Sequence, residues 1–302
     1  MSERLNVLVS GRSGQVASSL FEAEKPEGIK IFALGRPDLD ITDKTSIEAV
    51  FDRIRPHLVI NAAAYTAVDT AETDAENAER LNAAGAASLA SAAASRSIPI
   101  LHLSTDYVFD GTKPTPYVET DAVAPLGVYG RSKLLGEQLV AQANPRHLIL
   151  RTAWVYSHFG NNFLKTMLRV AGARNELGVV FDQVGNPTSA HDIAASLIKI
   201  ADRFRESGGE LNAGTYHMTA AGDCSWADFA DCIFKASEEF QGPTAIVKRI
   251  TSEEWPTPVT RPANSRLNCS KLKREFGIEL PDWRASTREC VKRLVETGAF
   301  VS

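Results

Sequence analysis

The first half of the chain alternates short apolar runs with longer amphipathic stretches. The apolar runs are nearly continuous in Leu, Ile and Val, which predicts strands buried on both faces, and the stretches between them predict helices. Because strand-helix-strand units connect by right-handed crossovers, this order predicts an α/β fold with a doubly wound parallel sheet. The predicted strands cover residues 5–10, 29–34, 58–61, 100–104 and 148–152, and the predicted helices cover residues 15–24, 45–53, 74–95 and 129–143.

The rhythm changes after about residue 153. Pro256, Pro258 and Pro262 predict an irregular, loop-rich segment late in the chain. We therefore predict one domain over residues 1–153 and a smaller C-terminal α/β lobe over residues 154–302, with segments near 178–205 compatible with either. Within the second part, helices are predicted at 162–173, 189–205 and 226–237, and short strands at 178–182, 215–219 and 245–250.

A glycine-containing turn separates the first strand from the first helix. Its sequence from Gly11 to Ala17 has the spacing G-x-x-G-x-x-A, with Gly14 as the second glycine. In a dinucleotide-binding turn the first glycine bends the chain, the second admits the pyrophosphate, and a small third residue lets helix and strand pack closely. The N-terminus of the helix offers free N–H groups to the anion. The turn predicts a Rossmann-like dinucleotide-binding domain in the first half and a substrate lobe in the second.

The end of the second predicted strand indicates which dinucleotide binds. An acidic residue there binds the ribose hydroxyls of NAD, whereas a basic residue accommodates the additional phosphate of NADP. This chain has Gly35 and Arg36 at that point, and Asp40 and Ile41 follow where they would flank the adenine. We predict NADPH as the cofactor, with NADH as the alternative, and a solvated surface position is the other interpretation of Arg36.

A tyrosine, a lysine and a threonine form the candidate catalytic group. Tyr129 and Lys133 are four residues apart and share one face at the start of a predicted helix. The lysine and the N-terminus of the helix should lower the tyrosine pKa toward the range useful for acid–base chemistry. Thr105 follows the strand at 100–104, at the edge where ligands bind in open parallel sheets. This set predicts hydride transfer from NADPH to a ketone, with Tyr129 as the proton donor and Lys133 on the nicotinamide ribose.

Composition excludes several other classes. The 302 residues are 44% hydrophobic and 23% charged with a net charge of -4, which is not the composition of a disordered, collagen-like or coiled-coil protein. The acidic balance argues against nucleic acid or an anionic membrane as partner. No apolar run approaches the roughly 20 residues of a membrane span, so we expect a cytoplasmic protein. Its four cysteines and six histidines lack metal-ligand spacing, and we predict no metal site.

Seven segments carry a resemblance to a known group, and they lie at residues 11–16, 61–69, 104–111, 129–133, 151–156, 185–188 and 261–265. They resemble the extended short-chain dehydrogenases that act on nucleotide sugars, and within that group the dTDP-4-dehydrorhamnose reductases. The resemblance implies NADPH-dependent reduction of the 4-keto group of dTDP-4-dehydro-6-deoxy-L-lyxo-hexose to dTDP-L-rhamnose. It implies a dTDP-sugar as the substrate and leaves a homodimer open.

The motifs and the resemblance together give the candidate site residues. The catalytic group is Thr105, Tyr129 and Lys133. For Arg261 and Asn264 the assignment rests on the suitability of arginine for phosphate, with a structural role as the alternative. The cofactor is assigned to Gly11, Ser13, Gly14, Gln15, Val16, Arg36, Asp40, Ile41, Ala62, Ala63, Ala64, Tyr65, Tyr129 and Lys133, and the substrate to Thr105, Asp106, Trp154, Arg261 and Asn264.

Departures from related patterns sharpen the reaction type. In the related dehydratases a glutamate occupies the position of Tyr107, and its carboxyl group acts as the acid for loss of water. Because this chain lacks that acid, reduction is favoured over dehydration. Ala17 replaces the glycine more usual in this group, and residues 17–20 lack the glutamate through which some relatives bind magnesium at a dimer contact. Two alternatives remain: a non-catalytic NADP-binding regulatory subunit similar to the beta subunit of methionine adenosyltransferase, and a reductase or epimerase of another nucleotide sugar.

Overall fold

A six-stranded parallel sheet forms the centre of the computed structural model, which describes residues 4–300. The six strands are β1 (Leu5–Ser10), β2 (Ile29–Leu34), β3 (Leu58–Asn61), β4 (Ile100–Thr105), β5 (His147–Thr152) and β10 (Gly214–His217). Their order across the sheet is β2-β1-β3-β4-β5-β10, and every neighbouring pair is parallel. The chain reverses its winding direction between β1 and β3, which confirms the predicted doubly wound sheet.

Helices cover both faces of this sheet because successive strand residues point in opposite directions. The helices of the first half are α1 (Gln15–Glu22), α2 (Lys44–Ile54), α3 (Val68–Ala71), α4 (Ala75–Glu79), α5 (Ala86–Ala94) and α6 (Val128–Ala143), with a 3₁₀ turn at Asp106–Val108. Those of the second half are α7 (Phe163–Ala171), α8 (Ala190–Glu206), α9 (Trp226–Glu239), α10 (Ser270–Phe276) and α11 (Trp283–Thr297). Val7 and Val9 pack in one apolar cluster with helices α1 and α8, whereas Leu8 packs in another with α2 and α5.

The second half builds its own apolar cluster around α7, α9 and α11. Phe229 and Trp283 meet edge to face in it, with ring centroids 5.8 Å apart. The short strands that border this cluster are β6 (Val155–Tyr156), β7 (Glu176–Val180), β8 (Val184–Gly185), β9 (Thr188–Ser189), β11 (Cys224–Ser225) and β12 (Ile246–Ile250). They form small sheets, in which β7 pairs with β12 and β6 with β9 in parallel, and β8 pairs with β11 antiparallel.

Two elements of the second half lie with the first. β10 extends the main sheet beside β5, and α8 packs against α1. The segment predicted as a strand at 178–182 is instead β7, two residues earlier, and it pairs with β12 and not with the main sheet. The division at residue 153 stays a prediction. Among the described residues, no helix has the length and apolar character that a membrane crossing would need.

The predicted single helix at 74–95 is interrupted. The six residues Arg80–Gly85 between α4 and α5 form a π-helical turn, a wider winding that is rare and often found at functional sites. Asn82 is buried in this turn and reaches two other parts of the chain, since its side chain bonds both backbone groups of Tyr65 and the hydroxyl of Ser132. The turn therefore ties the end of β3 to helix α6.

Candidate active site

The glycine turn lies at the point where the sheet reverses its winding direction, the position at which open α/β sheets bind ligands. Gly11 follows β1 with a φ of +95°, and a Cβ there would come within 2.9 Å of Ala62 O and Ala63 N at the end of β3. Only glycine allows these two strand ends to approach so closely. Beside them is a crevice of about 590 Å³, lined among others by the predicted residues Gly11, Ser13, Gly14, Arg36, Asp40, Ile41, Ala62, Ala63 and Ala64.

The same crevice contains residues that the sequence did not assign to the cofactor. Arg12, Gly35, Leu39 and Leu81 also line it. Leu81 belongs to the π-helical turn, so its place in the crevice depends on an irregularity that apolar periodicity does not reveal. The Arg12 side chain is largely exposed and lies 3.6 Å from Asp38.

Three residues assigned to the cofactor have other surroundings. The Gln15 carbonyl accepts hydrogen bonds from Ser157 and Asn162, so this side chain connects α1 to the second half. Val16 packs in the apolar core against the sheet. Tyr65 donates its hydroxyl to Asp74 over 3.0 Å, and its backbone is held by Asn82. Their cofactor roles stay predictions that these side-chain contacts do not support.

Thr105 and Asp106 lie at the carboxyl end of β4 and are buried. The Thr105 hydroxyl donates to Asp106 Oδ1 over 3.0 Å, while Asp106 Oδ2 is buried without a partner within residues 4–300. Burial raises the pKa of Asp106 to about 6, and the nearby hydroxyls of Ser265 and Thr105 oppose this only in part. An unpaired buried oxygen is costly unless something binds it, so Asp106 is a candidate to accept a hydrogen bond from a substrate.

Tyr129 reaches this group from the start of α6, which brings the predicted threonine and tyrosine together. Its ring lies 5.7 Å from that of Tyr107, edge to face, and the residue is 9% exposed. Burial raises the pKa of Tyr129 to about 12, and the Thr105 side chain opposes this only in part. The expected lowering of the tyrosine pKa is therefore wrong for this arrangement, because removing the phenolate from water outweighs every favourable contact.

Lys133 is buried one turn beyond Tyr129 but is directed elsewhere. Its ammonium donates to Leu103 O over 2.7 Å and lies 3.5 Å from His102 Nε2. Burial lowers the pKa of Lys133 to about 8, while the carboxylate of Glu137 favours its charged form. With its nitrogen donating to the backbone of β4, the lysine does little to ionise Tyr129.

A buried ion pair lies directly behind this lysine. Glu137 accepts from Arg151 Nε and Nη2 over 2.9 and 2.7 Å, and Ser104 donates to the same carboxylate. Both charged side chains are almost fully buried, and the pair joins α6 to β5 and β4. The sequence offers a weak signal for it, since Glu137 follows Lys133 by four residues and so shares its face of the helix.

The second half contributes an aromatic and cationic wall. Trp154, with a positive φ of 46°, stacks on Trp226 with ring centroids 3.5 Å apart. Trp226 and Arg261 line a cavity of about 710 Å³ that also contains Trp255, Arg169 and Arg174. Sequence reasoning found Trp154 and Arg261 but missed the other four, which are distant in the chain and belong to no motif.

Arg261 and Asn264 differ in what they can still bind. Arg261 donates to Asp69 over 2.9 Å, and its Nε is buried with no partner among the described atoms. Asn264 has its amide donating to Lys113 O and Thr115 O, and its oxygen accepts from Arg266. Arg261 keeps capacity for a ligand, whereas the contacts of Asn264 give it a structural role, and its substrate role stays a prediction without support.

One cluster of metal-ligand type lies outside this site. Glu22, His158 and His191 each offer a ligand atom within 4.8 Å of the others. Glu22 also pairs with Arg293, and the two imidazoles stack nearly parallel, with His158 Nδ1 3.3 Å from His191 Nε2. The guanidinium supplies the positive charge that the carboxylate needs, so we interpret the cluster as an ion-paired group. The absence of a metal stays a prediction.

Comparisons with known proteins point to one family. The family model described as RmlD substrate binding domain matches residues 5–296. The chain is 47% identical over 294 residues to the dTDP-4-dehydrorhamnose reductase of Sinorhizobium fredii, covering 97% of this chain and 99% of that one. It is 40% identical over 304 residues to that of Escherichia coli K12, covering 98% and 100%. The dTDP-4-dehydrorhamnose reductase of Bacillus anthracis, solved in complex with NADP, superimposes with a TM-score of 0.87 at 34% identity, covering 96% and 99%. On this evidence the chain belongs to the RmlD family, that of the dTDP-4-dehydrorhamnose reductases.

Proposed function

We propose that this chain reduces the 4-keto group of dTDP-4-dehydro-6-deoxy-L-lyxo-hexose to dTDP-L-rhamnose, with NADPH as the hydride donor. The observation that carries the proposal is the meeting of Thr105, Asp106 and Tyr129 at the carboxyl edge of the sheet, all three buried. Membership of the family, with matches along nearly the whole chain, supports the same substrate and cofactor.

The crevice at the glycine turn suits a dinucleotide. Because Gly11 has no side chain, the ends of β1 and β3 lie close together and leave the backbone open. A pyrophosphate can therefore approach this backbone and the N-terminus of α1. Arg36 lines the same crevice and offers a charged group to a ribose phosphate. NADPH, when bound, supplies the hydride. The buried Lys133 is the residue that would bind the nicotinamide ribose.

Tyr129 provides the proton. Its raised pKa keeps the phenol protonated throughout the neutral range, and the protonated form is the one that reduction needs. Thr105 adjoins it and can orient the oxygen of the 4-keto group, which becomes an alkoxide as hydride arrives. Burial of both side chains excludes water and strengthens these polar contacts.

The wall formed by the second half receives the rest of the substrate. Asp106 can accept from a sugar hydroxyl through its unpaired Oδ2. Arg261, with Arg169 and Arg174 in the same cavity, offers guanidinium groups that match diphosphate oxygens. Trp226 and Trp255 offer flat apolar surfaces to a nucleobase.

The direct test mixes the purified protein with NADPH and a dTDP-4-keto-6-deoxy sugar generated by the preceding enzymes. We expect NADPH absorbance to fall and dTDP-L-rhamnose to form. Replacing Tyr129 with Phe should lower kcat by about 100-fold to 10,000-fold, the usual contribution of a general acid, with the Kd for NADPH unchanged. A Tyr129→Phe variant with wild-type turnover would show that another group donates the proton.

Other outcomes assign the chain elsewhere. A folded protein that binds NADPH and consumes none of it would support the regulatory-subunit alternative. Faster turnover with UDP or GDP analogues, or a product with the other configuration at C4, would identify a different nucleotide-sugar enzyme. Light scattering on the same preparation decides whether the chain forms a homodimer.

A further inference from the structure

A row of buried polar side chains runs under the sheet edge from β1 to α6. Ser10 donates to Asn61 Oδ1 over 2.6 Å, and Asn61 Nδ2 lies 3.0 Å from His102 Nδ1. On the far side of the ring, His102 Nε2 is 3.5 Å from Lys133 Nζ. Each of the four residues is at most 2% exposed, so these groups depend on one another for hydrogen bonds.

The backbone determines the direction of this row. Ala63 N donates to Asn61 Oδ1 over 3.3 Å, and a backbone N–H can only donate. That end of the Asn61 side chain is therefore the oxygen, which also accepts from Ser10, and the other end is the amide NH₂ that faces His102. An amide NH₂ can only donate, so His102 Nδ1 accepts. A neutral imidazole that accepts at Nδ1 bears its proton on Nε2.

This tautomer presents an N–H to Lys133. An ammonium has three N–H groups and no lone pair, so it cannot accept from His102, whereas a neutral amine can. At 3.5 Å the contact is long for a hydrogen bond and acts mainly through the electrostatic field of the N–H dipole. The lysine nitrogen still donates to Leu103 O, which both of its protonation states allow.

We propose that His102 is a positioning residue: held in the Nε2–H tautomer by Asn61 and Ser10, it disfavours the charged form of Lys133 and sets the pH range in which that lysine carries the charge it would offer to the nicotinamide ribose. The catalytic meaning of this proposal rests on the proposed reductase function. Glu137, from α6 itself, acts in the opposite sense, and Arg151 from β5 moderates it. Burial lowers the pKa of both Lys133 and His102, and the charge of Lys133 lowers that of His102 further.

Two NMR measurements test it without substrate. In protein labelled with ¹⁵N-histidine, the wild-type His102 ring should show a protonated Nε2 and a bare Nδ1, with the resonance identified by its loss in His102→Asn. In protein labelled with ¹³Cε-lysine, Lys133 should titrate near pH 8. Asn61→Ala removes the amide, so the His102 ring can carry its proton on Nδ1. Asn61→Asp places a carboxylate there, which only accepts a hydrogen bond and so requires the proton on Nδ1. Both should raise the Lys133 midpoint, by about one pH unit for the aspartate, which is tenfold in the acid constant.

The matched control is His217→Gln, which alters another fully buried histidine of the same sheet that has no contact with Lys133. It should leave the lysine midpoint unchanged. A wild-type ring protonated on Nδ1 would overturn the proposal even if the Asn61 variants fail to fold. So would folded Asn61 variants whose lysine midpoint equals that of wild type.

The kinetic consequence separates this proposal from the reductase function. If charged Lys133 supports catalysis, turnover falls as pH rises through the lysine midpoint, and Asn61→Asp extends activity to higher pH. NMR shifts as expected in a protein that never reduces the dTDP-sugar would uphold the role of His102 and reject the proposed function. Unchanged Lys133 midpoints in an active reductase would uphold the proposed function and reject the role of His102.

Discussion

Replacing Glu137 with Gln tests whether the ion pair behind the catalytic helix holds that helix in place. Glutamine keeps an oxygen for Ser104 and Arg151 Nε, but its NH₂ then faces Arg151 Nη2, which is also a donor. The change leaves the Arg151 guanidinium without its counter-charge. Water cannot compensate, because the Glu137 and Arg151 side chains are only 4% and 6% exposed. Removing one member of such a pair costs about 3–5 kcal/mol of unfolding free energy.

At roughly 2 °C for each kcal/mol in a chain of this size, Tm should fall by about 6–10 °C, measured by scanning calorimetry at pH 7. Glu279→Gln is the matched control, because Glu279 pairs with Lys273 over 2.7 Å while both side chains are more than half exposed. An exposed pair contributes about 0–1 kcal/mol, so this variant should lose less than about 2 °C. A Glu137→Gln protein whose Tm equals that of Glu279→Gln would refute the reasoning.

Three further predictions concern the cofactor crevice and the buried carboxylate. Gly11→Ala places a methyl group 2.9 Å from Ala62 O at a positive φ, so the Kd for NADPH measured by calorimetry should rise about tenfold or more. Gly208→Ala is the control: it is also at positive φ but has open space around it, and it should leave that Kd unchanged. Arg36→Ala should lower kcat/KM about 10- to 100-fold with NADPH and little with NADH, and an equal loss with both would show that Arg36 does not bind the phosphate. The pKa of Asp106 is about 6 in the folded chain and ordinarily near 3.8, so the folded chain binds this proton more tightly than the unfolded chain. The free energy of unfolding therefore decreases as pH rises from about 4 to 6. Asp106→Asn should remove this loss, about 3 kcal/mol, and a difference in Tm between the two proteins that stays constant from pH 4 to 7 would contradict the assignment.

The central sheet was predictable from the sequence because its signals are local. Each of its first five strands is a nearly continuous apolar run followed by a turn or helix signal, so no long-range contact is needed to recognise it. The sixth strand, β10, is not an apolar run, and its place beside β5 was not predicted. The same holds for Gly11 and Tyr129, whose neighbours in the sequence carry the motif. Helix α11 was not predicted, although Asp282 at its start and Gly298 at its end are the usual capping residues.

The remainder depends on contacts between distant residues. Trp226 lies far along the chain from Trp154, and nothing in either local sequence indicates that the two rings stack. The bond from Asn82 to Ser132 spans 50 residues. The pKa of Tyr129 was predicted in the wrong direction for the same reason, since its burial is produced by tertiary packing and its spacing from Lys133 says nothing about desolvation.

The π-helical turn at Arg80–Gly85 also limits how this protein can change in length. Such a turn corresponds to an α-helix with one residue inserted, and its wider winding absorbs that residue. Deleting one residue within it would restore regular winding, leave the helices on either side nearly in phase and shift only the residues of the turn itself. Asn82 would then leave Tyr65 and Ser132, and the backbone beside Gly136, where even a Cβ would come within 2.1 Å of Asn82 O, would lose its fit. Insertions and deletions should therefore accumulate in the surface loops of this family, while a single missing codon in this stretch removes the bonds of Asn82 that join the end of β3 to the catalytic helix.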